Sequence, residues 1–207
     1  MAKAVLTACA RILGAHLAEF GFEPDRYVFR RYNAAGDAIL VDLQPHTSFS
    51  GETRFYVNVA FLLAPVWEWD RQRYHYPPAK RPDTSHGSWF DRVNPSDAED
   101  DFGQWVIEDG SETEAVAGRV FARLRERLAD MLPWLDRDHL RRVAGDRDVL
   151  GYAAEQVKAW LLAEGGTSEE LREILFGSSS PDAAEVRDVD RAIWEYARRH
   201  DGSSAVR

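Results

Sequence analysis

The chain carries one cysteine, Cys9, in 207 residues. A single thiol excludes an intramolecular disulfide and any multi-cysteine zinc site. A chain of this length needs neither, since it buries roughly 70% of the surface it exposes when unfolded. No apolar run approaches the roughly 18 residues of a membrane span. The opening Met1-Ala2-Lys3-Ala4-Val5-Leu6 soon meets Arg11, His16 and Glu19, which reads as an amphipathic helix and not a signal peptide. A soluble, cytoplasmic protein is the expectation. Positive charge is in deficit: 26 Lys and Arg against 35 Asp and Glu leave a net charge of −9. Nucleic acid and anionic membranes are held by Lys and Arg, so neither is an expected partner. The signatures of common chemistries are missing as well. No G-x-S-x-G occurs, and Gly165-Gly166 has no G-x-G-x-x-G or G-K-[ST] around it. The six histidines include no H-x-H, H-E-x-x-H or H-x-x-x-H, and a metal site needs three or four convergent ligands. No metal or cofactor is expected.

What is present is a folded globule with 44% hydrophobic residues. Residues 3–20 place Leu6, Leu13, Leu17 and Phe20 on one helical stripe beside Val5, Cys9 and Ile12, and Gly21 stands where a helix ends. Cys9 therefore reads as a small core residue. Three alternating runs follow at 26–32, 38–44 and 53–63, joined by short polar links, which predicts an antiparallel meander. Residues 64–98 concentrate Pro65, Pro77, Pro78, Pro82 and Pro95 among aromatics. Proline at that density argues against long regular elements, so a long packed loop is expected. A fourth strand fits 102–108. The remainder reads as helical. Ser111-Glu112-Thr113-Glu114 is a capping box before a stripe of Val116, Val120, Phe121, Leu124, Leu128 and Leu132. Shorter helices are expected after Asp136, Asp146, Thr167-Ser168 and Ser180-Pro181. The expected fold is α+β: a four-stranded antiparallel sheet flanked by an N-terminal helix and a longer helix. Residues 1–133 are expected to form that domain and 134–207 a C-terminal group of short helices packed on it, the alternative being one domain over 1–207.

Several segments of the first half carry a family resemblance. They are Gly21-Phe22 after the first helix, Tyr27-Val28-Phe29-Arg30-Arg31, Ile39-Leu40-Val41-Asp42-Leu43-Gln44 and Phe55-Tyr56-Val57-Asn58-Val59. Trp105-Val106-Ile107 before a helix and Leu132-Pro133 after it continue the pattern. Over about residues 12–133 the chain resembles the family of domain of unknown function 4304. It departs at Pro45-His46-Thr47-Ser48, where members often have a basic-plus-serine segment. The resemblance implies a bacterial, soluble α+β domain and no particular reaction.

Four groups of residues are candidate sites. Strand parity puts Arg30, Tyr32, Asp42, Gln44, Tyr56 and Asn58 on one face of the sheet, opposite the apolar face that meets the helices. Such a face suits a small ligand or a peptide, and equally a half-solvated sheet. Gln44 and Asn58 stand out, because an amide inside an apolar strand costs stability unless it is satisfied. The proline-rich loop offers Trp67, Trp69, Tyr74, Tyr76, Trp89 and Phe90 with Arg71, Arg73, Lys80 and Arg81. These are hot-spot types, and also what staples a loop to a core. His46, His75 and His86 lie in loops, with Asp83 and Asp91 flanking His86. Finally, Asp91 to Val116 holds nine acidic residues against Arg92 alone, nearly the whole net charge. Part of that charge suits the helix N-terminus at Ser111, and Arg119, Arg123, Arg125 and Arg127 follow it.

Surface features without a catalytic constellation favour a non-enzymatic protein-binding module, with a toxin-neutralising immunity protein as one concrete form. It would use the aromatic loop and the acidic segment against a protein partner. The alternative is a small-ligand-binding protein or enzyme using the polar sheet face.

Overall fold

A computed structural model of the chain describes residues 2–46, 52–95, 103–108 and 112–201. The chain divides into two compact units, Met1–Trp67 with Tyr76–Asp136, and Glu68–His75 with Arg137–Arg207.

The first unit begins with helix α1, Ala2–Ala18. It buries Leu6, Cys9, Leu13 and Leu17, the stripe that the 3.6-residue period predicts. Gly21 then takes φ +76°, the left-handed conformation that a residue without Cβ adopts at least cost. The sheet is antiparallel and α+β as expected, but it has six strands and not four. β1 (Glu23–Asp25), β2 (Val28–Tyr32), β3 (Ala38–Pro45) and β4 (Thr53–Leu62) are consecutive neighbours. β5 (Trp89–Arg92) and β6 (Trp105–Ile107) both pair with β4 on its far side. β1 escaped the sequence reading because it is three exposed residues containing Pro24, which only an edge strand tolerates. β5 escaped it because its four residues lie among prolines.

β5 and β6 run in the same direction along β4, Arg92 opposite Asn58 and Trp105 opposite Phe55. Together they line the same edge of β4. Two bonds fix Val93 beside them: Val93 N–H donates to Val57 O at 2.8 Å, and the Trp105 indole donates to Val93 O at 2.8 Å.

The expectation of no long regular element in 64–98 is also corrected. Helix α2 spans Ala64–Arg73. Its Pro65 sits in the first turn, where no backbone N–H is needed. The N–H of Ala64 is satisfied by the buried carboxylate of Asp37 at 2.9 Å. Asp37 is held there by the β2–β3 turn, whose Asn33 amide donates to it at 2.9 Å and to Leu135 O at 2.9 Å.

Helix α3, Thr113–Met131, buries Val116, Val120, Leu124 and Leu128. Glu112 occupies its cap position without a side-chain hydrogen bond. Ser111 of the expected capping box lies outside the described residues, as do Asp97, Glu99, Asp100 and Asp101. α1 and α3 meet through the stacked rings of His16 and Phe121, 4.6 Å apart. The apolar face of the sheet, built by Phe29, Ile39, Val41, Leu43, Phe55, Val57, Val59 and Phe61, is buried. Gly14 of α1 lies so close to Phe29 that a Cβ would meet its ring at 3.1 Å.

The second unit is helical. α4 (Arg137–Val143), α5 (Arg147–Leu150), α6 (Ala154–Ala163), α7 (Glu169–Phe176) and α8 (Asp188–His200) bury Leu140, Leu150, Val157, Trp160, Leu171 and Ile193. Asp146 and Ser168 accept from Asp148 N and Leu171 N as side-chain caps. The last helix starts at Asp188, eight residues beyond Ser180. Arg187 stays extended, and its guanidinium grips the buried Asp190 carboxylate with bonds of 2.6 and 2.7 Å. That puts two acidic residues in the first turn of α8, where the helix dipole favours them.

Two glycines of opposite character test this packing. At Gly87 a Cβ would meet Ala60 Cβ and Trp89 O at 2.6 Å, so Gly87→Ala should lower the urea-unfolding free energy by about 1–3 kcal/mol. Gly118, inside α3, has open space around it. Gly118→Ala should raise the same quantity by about 0.5–1 kcal/mol through helix propensity.

Candidate functional site

The polar residues of the sheet converge as strand parity requires. Asp42 faces Asn58, and Gln44 faces Tyr56, across β3 and β4. Asn58 is 2% exposed and uses its whole amide. Its Nδ2 donates to Asp42 Oδ1 at 2.9 Å and to Gln44 Oε1 at 3.0 Å. Its Oδ1 accepts from Arg92 Nε at 3.4 Å. The Arg92 guanidinium lies over the Tyr56 ring, 3.8 Å from its centre, a cation–π contact. The Tyr56 hydroxyl accepts from Gln104 Nε2 at 3.0 Å, and Gln104 Oε1 accepts from Arg54 at 3.3 Å. The His46 ring lies tilted against Tyr56, 5.3 Å away.

The middle of this face is not open to solvent. A 3-10 turn, Thr84–His86, lies over it, and the Thr84 hydroxyl donates to Asp42 Oδ2. Arg30, 4% exposed, donates to Pro82 O at 2.7 Å and pairs with Asp25 at 3.0 Å. Arg30, Asp42 and Asn58 therefore hold the loop onto the sheet. Gln44, Tyr56 and Arg92 form a rim that stays accessible. The Gln44 amide nitrogen and the outer nitrogens of Arg92 have no hydrogen-bond partner among the described residues. The rim is rich in free donors.

The turn itself places Ser85, His86 and Asp83 together. His86 Nδ1 is 2.9 Å from Asp83 Oδ1 and 3.2 Å from the Asp83 backbone N. Ser85 Oγ donates to the same carboxylate and lies 3.4 Å from the same Nδ1. In a nucleophilic triad the two ring nitrogens serve different partners. Here every contact falls on Nδ1, and the ring is boxed edge-on by Trp67 at 4.9 Å and Tyr76 at 5.5 Å. The group is a capping box that fixes the turn.

Charge follows this geometry. The hydrogen bond from His86 holds the Asp83 carboxyl far below its ordinary range, helped by Ser85 against the cost of burial. Burial raises the Asp42 carboxyl above its ordinary value. Thr84 and Asn58 oppose that shift by donating to it, and the Asp83 charge adds to it. Burial pushes the Cys9 thiol up to about 11, which leaves it without a reactive thiolate.

The loop aromatics serve mainly as packing. Trp67 stacks on Tyr76 at 5.8 Å. Trp89 meets Trp134 edge-on at 5.1 Å, and Trp134 meets Phe61 at 5.8 Å. In the second unit the Arg73 guanidinium covers Trp69 and Tyr74 at 5.0 and 5.5 Å. Tyr74, Phe90 and Tyr32 keep 55%, 50% and 40% of their surface exposed. Within the acidic segment Asp91 pairs with Arg127 of α3. Among the described residues no three His, Cys, Asp or Glu side chains converge on a metal-sized site, and no helix is long and apolar enough to cross a membrane.

Arg92, Gln104, Thr84 and Arg54 were not singled out by the sequence reading. The alternation Trp89-Phe90-Asp91-Arg92 is the signal for Arg92. Nothing local marks Thr84, whose role exists only where the turn meets Asp42.

The model of a domain of unknown function, DUF4304, matches residues 13–137. The chain belongs to the DUF4304 family. The match ends one residue past the first unit, so the DUF4304 portion contains the whole sheet and its polar rim. Comparison with curated proteins and with solved structures found no match.

Two measurements test the polar layer of this DUF4304 domain. Asn58→Leu strands the Asp42 carboxylate and the Arg92 guanidinium, and should cost about 2–3 kcal/mol in urea unfolding, whereas Gln44→Ala at the rim costs less than about 1 kcal/mol. The carboxyls give opposite pH slopes. Asp83, held below its ordinary 3.8, adds stability above that pH and loses it on acidification, so Asp83→Asn should flatten the acid limb of stability against pH. Asp42, raised above 3.8, weakens the fold as it ionises with rising pH, so Asp42→Asn should remove a decline on that side.

Proposed function

We propose that the protein is a cytoplasmic bacterial binding module without catalytic activity, and that the rim Gln44–Tyr56–Arg92 is where it meets a protein partner. The observation that carries this reading is the set of free donors on Gln44 and Arg92, stiffened by the Tyr56 stack. Preorganised donors of this kind suit carbonyl and carboxylate groups on a partner surface. Phe90, half exposed on the same sheet face, supplies an apolar neighbour of a type common at interface centres. The acidic residues 97–101 lie in the chain between Arg92 and Gln104, and favour a partner that also carries basic groups. An immunity-type protein fits this description. A buried, unreactive Cys9 suits a reducing compartment.

The alternative is a small ligand on the same rim, favoured by the closeness of the Gln44, Tyr56, Arg92 and Gln104 side chains. Site-specific photocrosslinking in cells of the source organism separates the two. A crosslinker at Gln44 should capture one defined protein that a crosslinker at the fully exposed Tyr152 does not. Arg92→Ala should cut that capture about tenfold, the scale of a charge-assisted contact, with a parent-like circular-dichroism spectrum and a lowered melting temperature, because Asn58 Oδ1 loses its donor. No protein captured at Gln44, together with a metabolite-induced thermal shift that Arg92→Ala abolishes, would favour the ligand reading and sink ours.

A further inference from the structure

The first unit has a groove of about 300 Å³ where the N-terminal turns of α1 meet the far end of the β3–β4 pair. That volume is at the lower end of small-molecule sites, roughly 300–1,000 Å³. Its apolar surface comes from Leu6, Tyr27 and Pro45, and its polar corner from Lys3, Arg54 and His46. Among the described residues no acidic side chain lines it, and the first turn of α1 carries none. Among the described residues no carboxylate pairs with Lys3. The walls are fixed. The Tyr27 hydroxyl bonds Thr7 Oγ1 at 3.0 Å, His46 N–H donates to Arg54 O at 2.9 Å, and Glu52 holds the Arg54 guanidinium at 2.8 Å.

A second groove, in the helical unit, shows what a satisfied site looks like. It sets Arg141 and Lys158 around apolar Leu161 and Leu162. There Glu164 pairs with Arg141 at 3.1 Å, and Glu170 pairs with Lys158 at 2.7 Å. Protein carboxylates already supply the anion. At the α1 groove Glu52 already pairs with Arg54, and Lys3 beside the apolar wall is the cation that no carboxylate meets among the described residues.

We propose that the α1 groove binds a short amphipathic monocarboxylate. Its anionic head would meet Lys3 Nζ, with Arg54 beside it, and its hydrocarbon body would lie on Leu6, Tyr27 and Pro45. Apolar burial supplies affinity for the body, and the charge selects carboxylate over a neutral head group. The site is separate from the rim of Gln44, Tyr56 and Arg92, and does not depend on the protein-binding reading.

Calorimetric titration of the full chain with sodium octanoate tests it. One saturable site is expected, with 1-octanol and acetate each binding at least about tenfold more weakly. Lys3→Met keeps the aliphatic stem and loses the charge. Because Lys3 is exposed, the variant should melt as the parent does and bind octanoate at least about fivefold more weakly. Arg141→Met, in the other groove, should bind it as the parent does. Absence of saturable binding, equal binding of 1-octanol, undiminished binding by Lys3→Met, or loss of binding in Arg141→Met would each overturn the proposal.

Discussion

A buried amide in a central strand sets the rest of this structure. Asn58 sits in the middle of β4 with almost no exposure, and leaving its groups unpaired there would cost more than any single contact returns. Its three hydrogen bonds decide what faces it: Asp42 and Gln44 from β3, and Arg92 from β5. Asp42 in turn takes the Thr84 hydroxyl and draws the proline-rich loop onto the sheet. Arg92 is aligned on Tyr56, and Tyr56 takes Gln104. One residue thus links β3, β4, the loop and both β5 and β6.

β5 and β6 meet β4 as two separate short strands. Were β5 and β6 continuous, the edge would be a plain strand with its side chains in register. The Trp105 indole instead ties β6 back to Val93 beside β5. The residues binding the loop, Arg30, Asp42 and Asn58, are separated from those left with free donors, Gln44 and Arg92.

Much of this was legible in the order of residues. The α1 stripe, the three alternating runs, the polar parity of Arg30, Gln44, Tyr56 and Asn58, and the caps at Asp146 and Ser168 are local patterns. Hydrophobic period and cap chemistry express them directly. The misreadings have a common cause. Pro65 was weighed as a breaker although the first turn of a helix accepts it, and that turn exists because Asp37, 27 residues earlier, caps Ala64. β1 and β5 are too short to show a period and are strands only because β2 and β4 offer them a ladder. α8 starts at Asp188 and not at Ser180-Pro181, after an extended Arg187 whose guanidinium binds Asp190.

By itself the sequence determined the α+β class, the family pattern, the buried unreactive Cys9 and the side of the sheet on which the polar residues lie, because each follows from backbone period or side-chain chemistry within a few residues. Only the tertiary structure decided which of those polar residues are spent. Whether a donor is free depends on what reaches it from elsewhere in the chain: Pro82 reaches Arg30, Thr84 reaches Asp42, and Glu164 reaches Arg141. No described partner reaches Gln44 Nε2, the outer nitrogens of Arg92, or Lys3 Nζ. Long-range satisfaction of hydrogen bonds and charges has no local period, so it is invisible until the chain is folded.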